Sequence, residues 1–143
     1  MPLRRKVWLK RKNWSKRKGK PPLKRKWVKD LDIAWSLFIR NRDKKCVKCG
    51  SVKNLQASHI ISRRKRSTRW LPENGKTLCY GCHIFWWHKE PVEAAAWIKS
   101  YLGAAALRKL QNKAVKIDAP LTLERYISTL RTLQSSLENH KEV

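Results

Sequence analysis

The sequence predicts a small α+β fold stapled by a four-cysteine zinc site, with flanking helices and a disordered basic arm at the N-terminus. Three observations predict it. The cysteines Cys46, Cys49, Cys79 and Cys82 form two C-x-x-C pairs with 29 residues between them. The stretch between and just after the pairs reads as strand, basic loop, strand and helix. Apolar residues recur at helical spacing on either side of that stretch.

The arm comes first in the chain. Residues 1–29 carry 14 Lys and Arg and no acid, show no helical or strand period, and include Gly19 and Pro21-Pro22. Such a segment repels itself and cannot bury enough surface to fold alone. Trp8, Trp14 and Trp27 are interleaved with its cations. They can stack on exposed bases, dock the arm on the folded part, or simply ride on a solvated tail that raises nonspecific affinity.

Order is expected from Asp30. In DLDIAWSLFIRNRD, Leu31, Ala34, Trp35, Phe38 and Ile39 follow the i, i+3, i+4, i+7, i+8 pattern of a short amphipathic helix, with Asp30 or Asp32 as its cap. The helix leads into CVKCG, whose glycine after the second cysteine suits a metal knuckle. A chain kept in the cytoplasm gains nothing from disulfides, whereas two knuckles offer four thiolates to one tetrahedral zinc. The 29-residue spacing exceeds that of an ordinary zinc ribbon, so additional structure sits between the knuckles. LQASHII has strand character, SRRKRSTRW forms the loop, and LPENGKTL contains the turn pair Asn74-Gly75 before the second strand. HIFWWHKEP then continues as helix up to Pro91, with Trp86 and Trp87 read as core beneath the zinc.

The remainder is helical scaffold. Pro91 opens one helix and Gly103 closes it, AAALRKLQNKAV continues, and Leu123, Tyr126, Ile127, Leu130, Leu133 and Leu137 share one face of a last helix. That stripe packs on the earlier helices or forms the seam of a homodimer. The domain reading is therefore a basic arm at 1–29, a zinc-stapled core at 30–90 and a helical region at 91–143 that packs on the core. His140 is assigned to solvent.

Charge narrows the partners. The formal net charge is +25, from 35 Lys and Arg against 10 Asp and Glu. A polyanion is the expected partner, and nucleic acid leads. A membrane surface would call for an amphipathic basic helix or a lipidation signal, and neither is read, nor is a signal peptide or a transmembrane run. The expected location is the cytoplasm. Arg63, Arg64, Lys65, Arg66 and Arg69, in the loop between the knuckles, are expected to hold phosphates without reading sequence. A cytidine or adenine deaminase also clusters Cys and His, but it needs H-x-E where this chain has His59-Ile60-Ile61.

The segments CVKCG, LQASHIISRR, STRW-x-x-EN and LCYGCH, followed by WIKSYLG and LRKL, resemble the HNH endonucleases, and in particular the NinG (Rap) group of phage recombination proteins. The resemblance spans roughly residues 31–138. It implies a ββα-metal nuclease core and a metal-dependent hydrolase of DNA phosphodiester bonds that acts on branched or single-stranded DNA in a bacterial host cytoplasm. His59 would be the general base that activates water. Asn74 would fix the loop that aims it. His83 would hold a catalytic divalent ion, magnesium or another, beside the structural zinc at Cys46, Cys49, Cys79 and Cys82. Many HNH enzymes have Asp or His just before the base as a second ligand. This chain has Ser58, a poor ligand, and His88 is the substitute. The rival readings are a noncatalytic zinc-containing nucleic-acid-binding protein and an RNA-binding basic protein; RNA stays open as a partner.

Overall fold

In the computed structural model the described residues are 23–139; the arm up to residue 22, with Trp8 and Trp14, and His140 lie outside them. The first helix, α1, runs from Leu23 to Asp43. It already runs over the seven described residues before the expected boundary, so the basic stretch 23–29 is helical. Trp27 is the reason: its indole stacks on Tyr126 at 5.4 Å and 16° between planes, which extends the buried stripe one turn backward. Asp30 and Asp32 are then inside the helix and do not cap it. Asp30 accepts a hydrogen bond from the Tyr126 hydroxyl, and Asp32 accepts from Arg69 and Trp70.

The sheet has two antiparallel strands, β1 (Leu55–His59) and β2 (Gly75–Cys79), with Ser58 opposite Lys76 and His59 opposite Gly75. Because side chains alternate along a strand, one face carries Ala57, His59, Gly75 and Thr77, and the other carries Gln56, Ser58, Lys76 and Leu78. The first face lies on α1, where the Thr77 hydroxyl donates to the Ile39 carbonyl. Gly75 permits that approach. Its φ is an ordinary extended −130°, but a Cβ there would lie 2.5 Å from Trp35 Cζ2 and 2.6 Å from Ile39 Cδ1. The turn pair Asn74-Gly75 leads into β2, as the sequence predicts, and is not itself the reversal. Asn74 ends a 3-10 turn, Pro72–Asn74, and is fully buried, while the chain reverses through the long basic loop before it.

After β2 the chain enters a π-helical segment, Cys82–Trp87. Three α-helices follow: α2 (Pro91–Leu102), α3 (Ala104–Ala114) and α4 (Leu123–Asn139). Pro91 opens α2, and Gly103, at φ 83°, ends it in a conformation costly to other residues. α4 lays part of its stripe on α1: Leu31, Trp35, Phe38 and Ile39 bury against Trp70, Leu121 and Leu133, with Tyr126, Leu130 and Leu137 alongside, whereas Leu123 and Ile127 of the expected stripe are exposed. α1 thus sits between α4 and the ribbon, while the π segment lies on the ribbon's other face, where His83 meets Gln56 and Trp87 meets Lys76, and α2 packs on the π segment. The fold is α+β with a four-cysteine cluster at one end. Among the described residues no helix is long and apolar enough to cross a membrane.

Candidate functional site

The two knuckles meet at the end of the ribbon. Cys46 and Cys49 flank a turn closed by the Gly50 amide on the Cys46 carbonyl (2.8 Å), with Gly50 at φ 78°. Cys79 ends β2 and Cys82 begins the π segment. All four sulfurs lie within 4.8 Å of one another, and Cys49 and Cys79 are 3.6 Å apart. A tetrahedron built on Zn–S bonds of ~2.3 Å spaces its sulfurs by about 3.8 Å. The thiols resist joint ionisation. Burial opposes ionisation of Cys46, yet backbone N–H groups of Cys49, Cys79 and Lys48 outweigh it and bring the thiol down to about 7. Cys82 is pushed well up by burial and by its three neighbours. Four thiolates at this spacing require a cation between them, and the donor set suits zinc.

Beside this cluster opens a cleft of about 570 Å³ lined by Ser58, His59, Arg63, His83, Trp87 and His88, among others. The histidines come from three places in the chain. His59 ends β1, and its ring stacks on Trp35 at 3.9 Å and 14°. Its Nε2–H donates to the Arg69 carbonyl at 2.9 Å, so in the neutral ring Nδ1 carries the lone pair. Burial holds its pKa below the usual value, against the pull of the Arg69 carbonyl and Asp32, with Arg69 and Arg63 adding to the lowering. The ring is neutral at pH 7.

His83 and His88 stand together. Their Nε2 atoms are 3.1 Å apart, and Nδ1–H of His83 donates to Gln56 Oε1 at 2.6 Å. On an α-helix a five-residue spacing would put these rings on different faces. Helical bonding of the i→i+5 type brings them onto one. Burial, helped by His88 and Lys76, holds the His83 pKa below the usual value, so its Nε2 lone pair is available. Two imidazole nitrogens bound to one ion at ~2.0–2.1 Å would sit about 3.3 Å apart in tetrahedral geometry. Gln56 does for His83 what an outer partner does for a metal-bound imidazole: it fixes the tautomer and the ring plane. Ser58, on the same strand face as Gln56, is buried, and its hydroxyl has no hydrogen-bond partner among the described residues.

Asn74 holds the loop from inside. Its amide donates to the Ile61 and Thr68 carbonyls and accepts from the Ile61 amide at 2.7 Å. Of the five loop cations, Arg63, Arg64, Lys65 and Arg66 are exposed. Arg69 is half-buried and already paired. Its guanidinium is committed to both oxygens of Asp32, at 2.9 and 2.6 Å, and to the Arg63 carbonyl. Trp86 and Trp87 are half-buried, not core: Lys48 lies over Trp86, and Trp87 both lines the cleft and covers Lys76.

Lys76 was not legible as a site residue. It is fully buried, its amine has no hydrogen-bond partner among the described residues, and it lies 3.0 Å above the Trp87 ring. Burial lowers its pKa from 10.5 to about 6. Gln56 was also missed. Only its place two residues before Ser58, on the same strand face, marks it in the sequence. No family model, curated protein or solved structure matches the chain, so its functional reading rests on this geometry.

Proposed function

We propose that the chain is a metal-dependent endonuclease of the HNH type, hydrolysing DNA phosphodiester bonds, with the four cysteines holding a structural zinc. One observation carries this reading: a neutral, oriented imidazole, His59, shares a cleft with a convergent imidazole pair, His83 and His88. In the ββα-metal arrangement, β1 supplies the base, β2 backs it, and the π segment supplies the ion's ligands.

The residues divide the work. His59 offers Nδ1 to a water molecule and takes its proton as the oxygen attacks the phosphorus; a neutral ring is required for this near pH 7. Arg69, through its carbonyl, keeps the tautomer that leaves Nδ1 open. Asn74 keeps the loop closed so that this carbonyl stays in place. Arg63, at the cleft, and Arg64, Lys65 and Arg66, next to it, meet the phosphates. His83 and His88 would hold the divalent ion, which supplies Lewis-acid stabilisation of charge on the phosphate and the leaving oxygen. Two nitrogens without a carboxylate suit zinc, cobalt or nickel better than magnesium, which favours oxygen ligands.

The test is nicking of supercoiled, branched and single-stranded DNA, with RNA alongside, in magnesium, manganese, cobalt, nickel or zinc. Cleavage should depend on the ion, and His59→Ala should lower it by roughly 100-fold while leaving DNA affinity unchanged. Absence of cleavage with every ion would leave the protein as a zinc-containing nucleic-acid-binding module.

A further inference from the structure

The Arg69 carbonyl that orients His59 lies in a loop of successive turns that Asn74 braces at the Ile61 and Thr68 carbonyls, and the peptide it belongs to is also gripped from outside the loop. That carbonyl belongs to the peptide unit joining Arg69 to Trp70. The side chains on both sides of the unit end on one carboxylate, Asp32 of α1. Asp32 Oδ1 accepts from Arg69 Nε at 2.9 Å and from Trp70 Nε1 at 2.9 Å, and Oδ2 accepts from Arg69 Nη2 at 2.6 Å. The next carbonyl, that of Leu71, accepts from Trp35 Nε1 at 3.0 Å, and the Trp35 ring is the surface on which His59 stacks. α1 therefore grips the peptide and the imidazole together.

We propose that Asp32 is a positioning residue for His59, acting through the Arg69–Trp70 peptide: one carboxylate fixes both flanking side chains and so holds the carbonyl on the His59 Nε2–H. A bidentate pair with a third donor fixes direction as well as distance. Its effect on cleavage rests on His59 being the working base; its effect on the ring does not.

Two measurements on the full-length, zinc-loaded protein test it. The first is nitrogen-15 NMR of the histidine rings. Wild-type His59 should be in the Nε2–H tautomer, and Asp32→Asn and Arg69→Met, which cut the clamp from opposite sides, should both shift it toward a mixture. Zinc content and near-ultraviolet dichroism establish that each variant is folded. An unchanged His59 tautomer in either folded variant overturns the proposal, whether or not the protein cleaves DNA.

The second is a cleavage cycle. Asp32→Asn should lower kcat by about 10-fold or more, the scale of orienting groups, with KM little changed. In a His59→Ala background the same change should cost nothing further, because the group it orients is gone. An equal loss in both backgrounds would show that Asp32 acts elsewhere and overturn the proposal. If wild type does not cleave, the nuclease reading fails and the tautomer measurement still decides the role of Asp32.

Discussion

Replacing Lys76 by methionine should make the protein more stable, and by an amount that depends on pH. The Lys76 side chain is fully buried, has no hydrogen-bond partner for its amine among the described residues, and has its pKa lowered from 10.5 to about 6 by burial. Between those two values the unfolded chain holds a proton that the folded chain does not, so stability rises with pH across that window. At pH 7.5 the three pH units up to 10.5 correspond to about 4 kcal/mol of lost stability at ~1.36 kcal/mol each. At pH 7.5 the folded amine is neutral, so the Trp87 face 3.0 Å from it gains no cation–π attraction to set against that cost. Methionine has similar length, keeps the ring contact and carries no charge. Lys76→Met should therefore gain up to about 4 kcal/mol at pH 7.5, or roughly 8–16 °C in unfolding temperature. The gain should be larger at pH 6.5 and smaller at pH 9.5. Calorimetry of the zinc-loaded protein at these three pH values measures it. A variant less stable than wild type, or a gain that does not change with pH, would refute the reasoning, since either result means that the buried amine is compensated.

Three further outcomes follow from the same contacts. Gly75→Ala should destabilise by about 1–3 kcal/mol in urea unfolding, because the added methyl drives into Trp35 and Ile39; displacing Trp35 should also disturb the His59 ring that stacks on it. Cys82→Ser should release zinc and unfold the ribbon and π segment together, read by metal content and circular dichroism, since three thiolates bind the ion less well and the small core depends on it. Arg64→Gln and Arg66→Gln should each lower the slope of log affinity for duplex DNA against log salt by about 0.9, whereas Arg69→Gln should leave that slope nearly unchanged because its charge is held by Asp32.

Much of the scaffold was legible because it is written in short-range patterns. Doubled C-x-x-C pairs state a metal site through spacing alone, and the four sulfurs do converge. A 3.6-residue stripe states a helix face, and Tyr126, Leu130, Leu133 and Leu137 of the α4 stripe do lie in the core with α1, although Leu123 and Ile127 are exposed. His59, His83 and Asn74 are named through the resemblance to HNH endonucleases, which places them beside the knuckles and in the loop. What they do there depends on partners far away in the chain. The helical state of the basic stretch 23–29 needed Tyr126, about a hundred residues on, to give Trp27 a surface. The convergence of His83 and His88 needed the wider π winding, which no α-helical periodicity shows. Arg69 reads as one more cation in a basic run until Asp32 claims it, and Lys76 reads as a solvated strand lysine until Trp87 closes over it. The sequence by itself therefore determined the elements, the thiolate set and the candidate imidazoles, since spacing and periodicity are local. Only the tertiary structure decided tautomers, charge states and which cations stay free, because those depend on burial and on hydrogen bonds between residues that meet only when the chain is folded.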